Sequence, residues 1–278
     1  MTRDPSPEAG IGVGIGVGVG MGASGGGAAG EASAVSASSS RRVAARSFSN
    51  AAEIYETSRP GYPEAAVDWM IPTGASSVLD LGAGTGKLTS ALVARGLDVL
   101  AIDPSAEMLS VLTRVVPEAR TIVGEAEALP LRDGSVDLVT AAQAWHWVDP
   151  DRAGAEAARI LAPGGRLSLV WNIRDERLDW LRRLGEIAGS ERSYRDLGED
   201  PVVSPHFGPF ERARFEWSHL LTLEEVLDLV RSRSWYLTAD EAGRERMIVG
   251  VSELVAASAV DGRVEMAYVT EVFRAHRR

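Results

Sequence analysis

Three glycines and two aspartates stand within a short stretch of this chain at spacings suited to holding a small molecule. Residues Val78 to Thr89 read VLDLGAGTGKLT, with Asp80 inside an apolar run and Gly82, Gly84 and Gly86 just after it. At a strand-to-helix turn, glycine lets the backbone approach a ligand at the carboxyl edge of a parallel sheet, because no Cβ stands in the way. The dinucleotide pattern G-x-G-x-x-G needs a glycine at position 87, where this chain has Lys87. Asp80 adds nothing to a pyrophosphate site but suits a ligand that carries an ammonium group. Its alternative role is structural, capping the loop through backbone N–H groups. The next apolar run, Asp98 to Ile102, ends in Asp103, where a carboxylate about 20 residues past the glycines accepts hydrogen bonds from ribose hydroxyls. Asp103 also precedes Pro104 and can act as a helix N-cap or turn acid. Together these residues point to a nucleoside and do not require phosphate.

The elements that must position them follow from hydrophobic patterning. Apolar runs at Ser77 to Leu81, Asp98 to Ile102, Arg120 to Val123, Val136 to Ala142 and Arg166 to Trp171 alternate with helical stretches, which predicts an α/β fold with a mostly parallel sheet covered on both faces. Two more strands are expected near Ala213 to Leu221 and Val264 to Arg274, giving about seven. Between them Thr222 opens TLEEVLDLVRSRSW, with Glu225 three residues on, the arrangement of a capping box. The segment RILAPGGRLSLVWN should close a helix at Ile160 or Leu161, turn through Pro163, Gly164 and Gly165, and enter the fifth strand. Gln143, Ala144, Trp145, His146 and Trp147 follow the fourth strand, the edge at which a doubly wound sheet places ligands.

In sequence order, these segments resemble the class I S-adenosylmethionine-dependent methyltransferases, in particular the small-molecule branch known as type 11. The resemblance runs from about Arg46 to the C-terminus and implies a Rossmann-like doubly wound sheet whose C-terminal strand enters antiparallel. It implies S-adenosyl-L-methionine as cofactor, with Asp80, Gly82, Ala83, Gly84 and Gly86 at its methionine part and Asp103 on both ribose hydroxyls. IDPSAEML continues the match, placing Pro104 and Met108 on one face of the adenine. GEAEALPL is similar to the family's GDAxxLP loop and points to Glu125 and Ala126 at the adenine edge, with glutamate in place of the commoner aspartate. Gln143 falls at the junction between cofactor and substrate. Upstream, SFSNAAEIYETSRPGYP resembles the branch's entry segment, keeping Tyr55, Arg59 and Tyr62 and departing from it at Ser49, where glycine is usual. AWHW and this entry segment make the chain similar to aconitate methyltransferase-like proteins.

The reaction this implies is in-line methyl transfer to a small-molecule acceptor through oxygen, nitrogen or carbon, with carboxylate or hydroxyl favoured. Alignment and exclusion of water then carry most of the rate. A carboxylate arrives ionised, whereas a hydroxyl needs a base, for which His146 is the candidate. Trp145, with a π face, Tyr55 and Arg59 complete the candidate catalytic set, Arg59 as a partner for a carboxylate on cofactor or substrate. The entry segment is expected to fold over the cofactor as a lid. For each aromatic the alternative is core packing, and for Arg59 a surface position before Pro60. Two other functions fit the same residues: a non-catalytic S-adenosylmethionine-binding protein and an NAD-dependent oxidoreductase.

Composition narrows the partners. The 278 residues are 45% hydrophobic and 24% charged, ordinary for one globular domain with additions. A net charge of −10 with no basic cluster argues against nucleic acid. Cysteine is absent, so there is no disulfide framework and no cysteine metal site, and a cytoplasmic location is expected. The histidines, His146, His206, His219 and His276, lack ligand spacing, so no metal is expected. Residues 1–45, which contain GIGVGIGVGVGMG, offer little side-chain area to bury and read as a disordered Gly/Ala/Ser-rich tail, leaving 46–278 as the methyltransferase domain. Alternating glycine also rules that run out as a membrane span or signal-peptide core. Oligomeric state is left open by the pattern.

Overall fold

A computed structural model describes residues 56–190 and 199–278. The tail and Tyr55 lie outside the described residues. In chain order the elements are α1 (Glu64–Met70), β1 (Ser77–Leu81), α2 (Lys87–Val93), β2 (Asp98–Asp103), α3 (Ala106–Val115), β3 (Arg120–Val123) and β4 (Val136–Ala142). They continue with a 3-10 turn at Trp145–Trp147, α4 (Pro150–Ile160), β5 (Leu161–Arg174), α5 (Asp179–Ala188) and β6 (Glu211–Thr222). The chain ends with α6 (Leu223–Arg231), α7 (Ser234–Thr238), α8 (Glu241–Ser258) and β7 (Arg263–His276).

One sheet of 7 strands has the order β3-β2-β1-β4-β5-β7-β6. β1 to β5 pair in parallel, and β7 pairs antiparallel with both β5 and β6. The strand order reverses between β2-β1 and β4, which opens a crevice at the carboxyl ends of these strands. Because strand side chains alternate, the central strands feed two cores. Val78, Val99, Leu138, Val170 and Val272 face α1 and α2 on one side. Leu79, Leu81, Val139, Ala141, Leu167 and Leu169 face α4 on the other. A separate cluster joins α5, α6 and α8 over Val264, Met266 and Tyr268 of β7.

Local signals explain the boundaries. Ser105 caps α3 through Met108 N at 3.2 Å, and Asp149 caps α4 ahead of Pro150. Asp103 is therefore not the helix cap that its place before Pro104 allowed. Thr222 and Glu225 close a full capping box on α6. β5 begins earlier than the pattern suggests: Leu161 already pairs with Val136, and the Pro163–Gly165 turn is accommodated as an irregularity before Arg166 pairs with Leu138. Gly164 carries φ +81, which makes that excursion possible. No described helix is long and apolar enough to cross a membrane.

Candidate functional site

The crevice holds a cleft of ≈ 630 Å³, within the size range of small-molecule sites. It is lined by Gly82 and Gly84 of the turn, by Asp103, Pro104 and Met108 at and after the end of β2, and by Glu125 and Ala126 after β3. Gln143 and Trp145 close it from the β4 side. A smaller cleft of ≈ 50 Å³ lies across the glycine turn, sharing Gly82, Gly84, Ala142 and Gln143 with the first. Ala83, Thr85, Lys87 and Arg59 line it, together with Asn172 and Arg233.

The glycines of the turn do different jobs, although all three have positive φ. A Cβ on Gly82 would stand 2.5 Å from the Ala144 Cβ, and one on Gly86 would stand 2.8 Å from Leu112. Both serve packing. Only at Gly84, φ +56, does an added Cβ meet nothing within 4 Å, so this is the turn's open face. Gly82→Ala should therefore destabilise the protein by about 2–4 kcal/mol, combining overpacking with a left-handed backbone. Adding Ala144→Gly should recover the steric share. Urea unfolding measures both, and a double variant no more stable than the single would show that Ala144 is not the obstacle.

Asp103, only 8% exposed, spans the turn. One carboxylate oxygen accepts from Gly84 N at 2.9 Å and the other from Ser105 N at 2.8 Å. Burial raises its pKa, and these two bonds counteract part of that rise. Asp80 lies one layer beneath, 1% exposed, accepting from the Thr89 hydroxyl at 2.7 Å and the Thr140 hydroxyl at 2.8 Å. Burial pushes its pKa up to about 6 against the pull of both hydroxyls, and Asp103 adds like-charge repulsion. Threonine hydroxyls, not loop N–H groups, are its partners, and it lines neither cleft.

Of the candidate catalytic residues, Arg59 lines the smaller cleft, tied to the Ser232 hydroxyl at 3.0 Å and carbonyl at 3.1 Å. Trp145 is buried in the core with its indole N–H on Val202 O at 2.9 Å, leaving one side on the larger cleft. His146 lines neither cleft: its exposed ring sits 4.9 Å from Trp147, with Nδ1 3.5 Å from the Trp171 indole N–H. Burial of part of the side chain lowers its pKa. Gln143 adopts φ +54, unusual for a side-chain-bearing residue, and donates to Asn172 O at 2.8 Å.

Sequence reasoning missed Glu127, Asp149 and Arg152 in the larger cleft and Asn172 and Arg233 in the smaller one. Glu127 lies within the GEAEALPL loop and Asn172 near a strand's carboxyl end, which offered signals, whereas Asp149, Arg152 and Arg233 did not stand out. The two clefts also differ in charge. Asp103, Glu125, Glu127 and Asp149 face the larger together with one cation, Arg152, whereas Arg59, Lys87 and Arg233 line the smaller, Lys87 paired with Glu56 at 2.8 Å. A nucleoside with a cationic centre and a carboxylate tail fits that division. Thr85, 1% exposed, points the same way: its buried hydroxyl in the smaller cleft has no hydrogen-bond partner among the described residues. Among the described residues no group of His, Cys, Asp or Glu is placed to hold a metal.

Comparison with known proteins identifies the family. Residues 79–169 match the methyltransferase domain family, type 11. An uncharacterized methyltransferase of Mycobacterium tuberculosis is 50% identical over 240 residues, covering 85% of this chain and 98% of that protein. An uncharacterized methyltransferase of Schizosaccharomyces pombe is 40% identical over 219 residues, covering 76% of this chain and 87% of the relative. Among solved structures, one from Anaeromyxobacter dehalogenans assigned to the type II methyltransferases is similar at TM-score 0.62 and 25% identity, covering 79% of this chain and 97% of that one.

Proposed function

We propose, on the premise that this chain belongs to the class I S-adenosylmethionine-dependent methyltransferases of the type 11 branch, that it methylates a small acceptor bearing a carboxylate or hydroxyl. The observation that carries this reading is the meeting of an acidic and a basic cleft at Gly82, Gly84, Ala142 and Gln143. S-adenosylmethionine, when bound, supplies an activated methyl on a sulfonium. In this reading Asp103 holds the ribose, Met108 and Pro104 flank the adenine, and Glu125 and Ala126 meet its edge. Gly84 gives the backbone clearance beside the ribose and methionine. The buried Asp80 carboxylate would act on the cofactor's positive centre through its field rather than by contact. Arg59, Lys87 and Arg233 hold a carboxylate, and Thr85 supplies a hydroxyl to the same group.

The protein's contribution to rate is alignment and dryness. Gln143, fixed by Asn172, sets the junction at which acceptor and methyl meet. A carboxylate acceptor needs no base, whereas a hydroxyl acceptor needs one, a role His146 fills only by turning from Trp171 toward the cleft that its neighbours Trp145 and Trp147 line. Release of S-adenosylhomocysteine with a panel of carboxylic acids, phenols and amines tests the acceptor class. With a carboxylate, His146→Ala should keep turnover within about threefold, whereas with a phenol it should lose about a hundredfold. Full turnover of the variant on a phenol would remove His146 from this role, and amines alone as acceptors would overturn the preference for oxygen.

A further inference from the structure

A chain of hydrogen bonds behind the smaller cleft runs in one direction, and the donor capacity of its members dictates that direction. The Trp217 indole N–H, which can only donate, reaches Thr270 Oγ1 at 2.8 Å. Having accepted there, the Thr270 hydroxyl gives its one proton to Asn172 Oδ1 at 2.7 Å. The Asn172 amide is thereby oriented with its NH₂ outward, where it donates to Gly61 O at 2.8 Å. Asn172 and Thr270 are direct partners in the β5–β7 ladder, and both are buried. Gly61 lies between Pro60 and Pro63 in Arg59-Pro60-Gly61-Tyr62-Pro63. Fixed proline φ angles stiffen this stretch, so one anchor on the Gly61 carbonyl sets both Arg59 and Tyr62 in the cleft wall. The Asn172 backbone carbonyl meanwhile holds the Gln143 side chain at 2.8 Å.

We propose that Asn172 is a positioning residue for methyl transfer, whose amide, oriented by Trp217 and Thr270, pins the entry segment at Gly61 over the cofactor cleft. The assignment rests on the S-adenosylmethionine reading of the two clefts and adds a residue that touches neither methyl nor acceptor in that reading. An asparagine is required because the site needs an acceptor toward Thr270 and a donor toward Gly61 in one flat group. Aspartate has the same shape, but it offers the Gly61 carbonyl a donor only when protonated; ionised, it sets oxygen against oxygen.

The test is calorimetric titration of the full chain and its Asn172→Asp variant with S-adenosylhomocysteine across pH. The ratio of variant to wild-type Kd is taken at each pH. That cancels the groups common to both: Arg59, Lys87, Arg233, Tyr62 and Tyr268 in the cleft, Arg174 on β5, Glu271 on β7, and Asp80 on β1. The ratio should stay within about threefold near pH 5.5 and exceed about tenfold near pH 8.5, the factor expected for one buried donor lost to repulsion. Thr270→Val should weaken binding about tenfold, while Thr270→Ser, which keeps the hydroxyl, should bind within about threefold of wild type. A ratio flat with pH, or Thr270→Val binding as well as Thr270→Ser, would overturn the assignment. Absence of S-adenosylhomocysteine binding by the wild-type chain would instead overturn the cofactor reading beneath it.

Discussion

Replacing Asp103 with alanine should weaken S-adenosylmethionine binding by about two to three orders of magnitude, the equivalent of roughly 3–4 kcal/mol. The carboxylate is almost wholly buried at the carboxyl end of β2, and backbone donors from Gly84 and Ser105 fix it to within one orientation. Those bonds occupy one lone pair on each oxygen, leaving the other pair on each for ribose hydroxyls. A hydrogen bond to a charged group contributes about 1.5–3 kcal/mol, and alanine removes both hydroxyl contacts while freeing the Gly84 N–H to move. Asp103→Asn should fall between, because an amide accepts through one oxygen only. Calorimetry with S-adenosylhomocysteine measures the affinity, and thermal unfolding without ligand shows that the variants are folded. Binding within threefold of wild type in Asp103→Ala would exclude a ribose role for this residue.

Asp80→Asn should raise stability at neutral pH and lower affinity for the cofactor. The folded-state pKa of about 6 lies above the ordinary 3.8, so the native state binds this proton more readily than the unfolded chain. Stability from this group therefore rises as pH falls from about 6 toward 4 and is lost as pH rises through 6. Above that window the buried charge costs about 3 kcal/mol, from a shift of about two units at 1.36 kcal/mol each. Asparagine keeps the shape: its oxygen accepts from Thr89, and its NH₂ faces Thr140, whose hydroxyl already lies 3.5 Å from Leu79 O and can turn to it. Denaturant unfolding at pH 7.5 should show the variant more stable by about 1–3 kcal/mol, with the gap closing toward pH 4. A variant less stable than wild type at pH 7.5 would contradict this. That the chain keeps a carboxylate here despite its cost fits a field aimed at a cationic ligand centre, and the variant should bind S-adenosylmethionine about tenfold more weakly.

Much of the fold was legible because it depends on short-range pattern. VLDL, VLAI and VDLVTAA alternate between two cores, and Thr222 with Glu225 announces the start of α6. Asp103 was legible in the same way, at the end of an apolar run, whereas Met108 and Glu125 were placed at this cleft by the family resemblance. What could not be read depends on residues that meet only in space. Arg59 reaches Ser232 across 173 residues, and Asn172 reaches Gly61 across 111. Gly82 and Gly84 look equivalent in sequence, yet Ala144 decides that one is packing and the other is open. His146 looked central between two tryptophans, but the 3-10 turn rotates it out of both clefts while Trp145 points inward. Tyr55 lies outside the described residues.

The central claim is that the crevice between β2, β1 and β4 holds S-adenosylmethionine through Asp103 and the open turn at Gly84. Titration of the full chain with S-adenosylhomocysteine, in parallel with NAD and with Asp103→Ala as control, tests it most directly. The expected result is one-to-one binding of S-adenosylhomocysteine, loss of that binding in the variant, and no heat with NAD. Binding of NAD with none of S-adenosylhomocysteine, or equal binding of S-adenosylhomocysteine by wild type and Asp103→Ala, would contradict it.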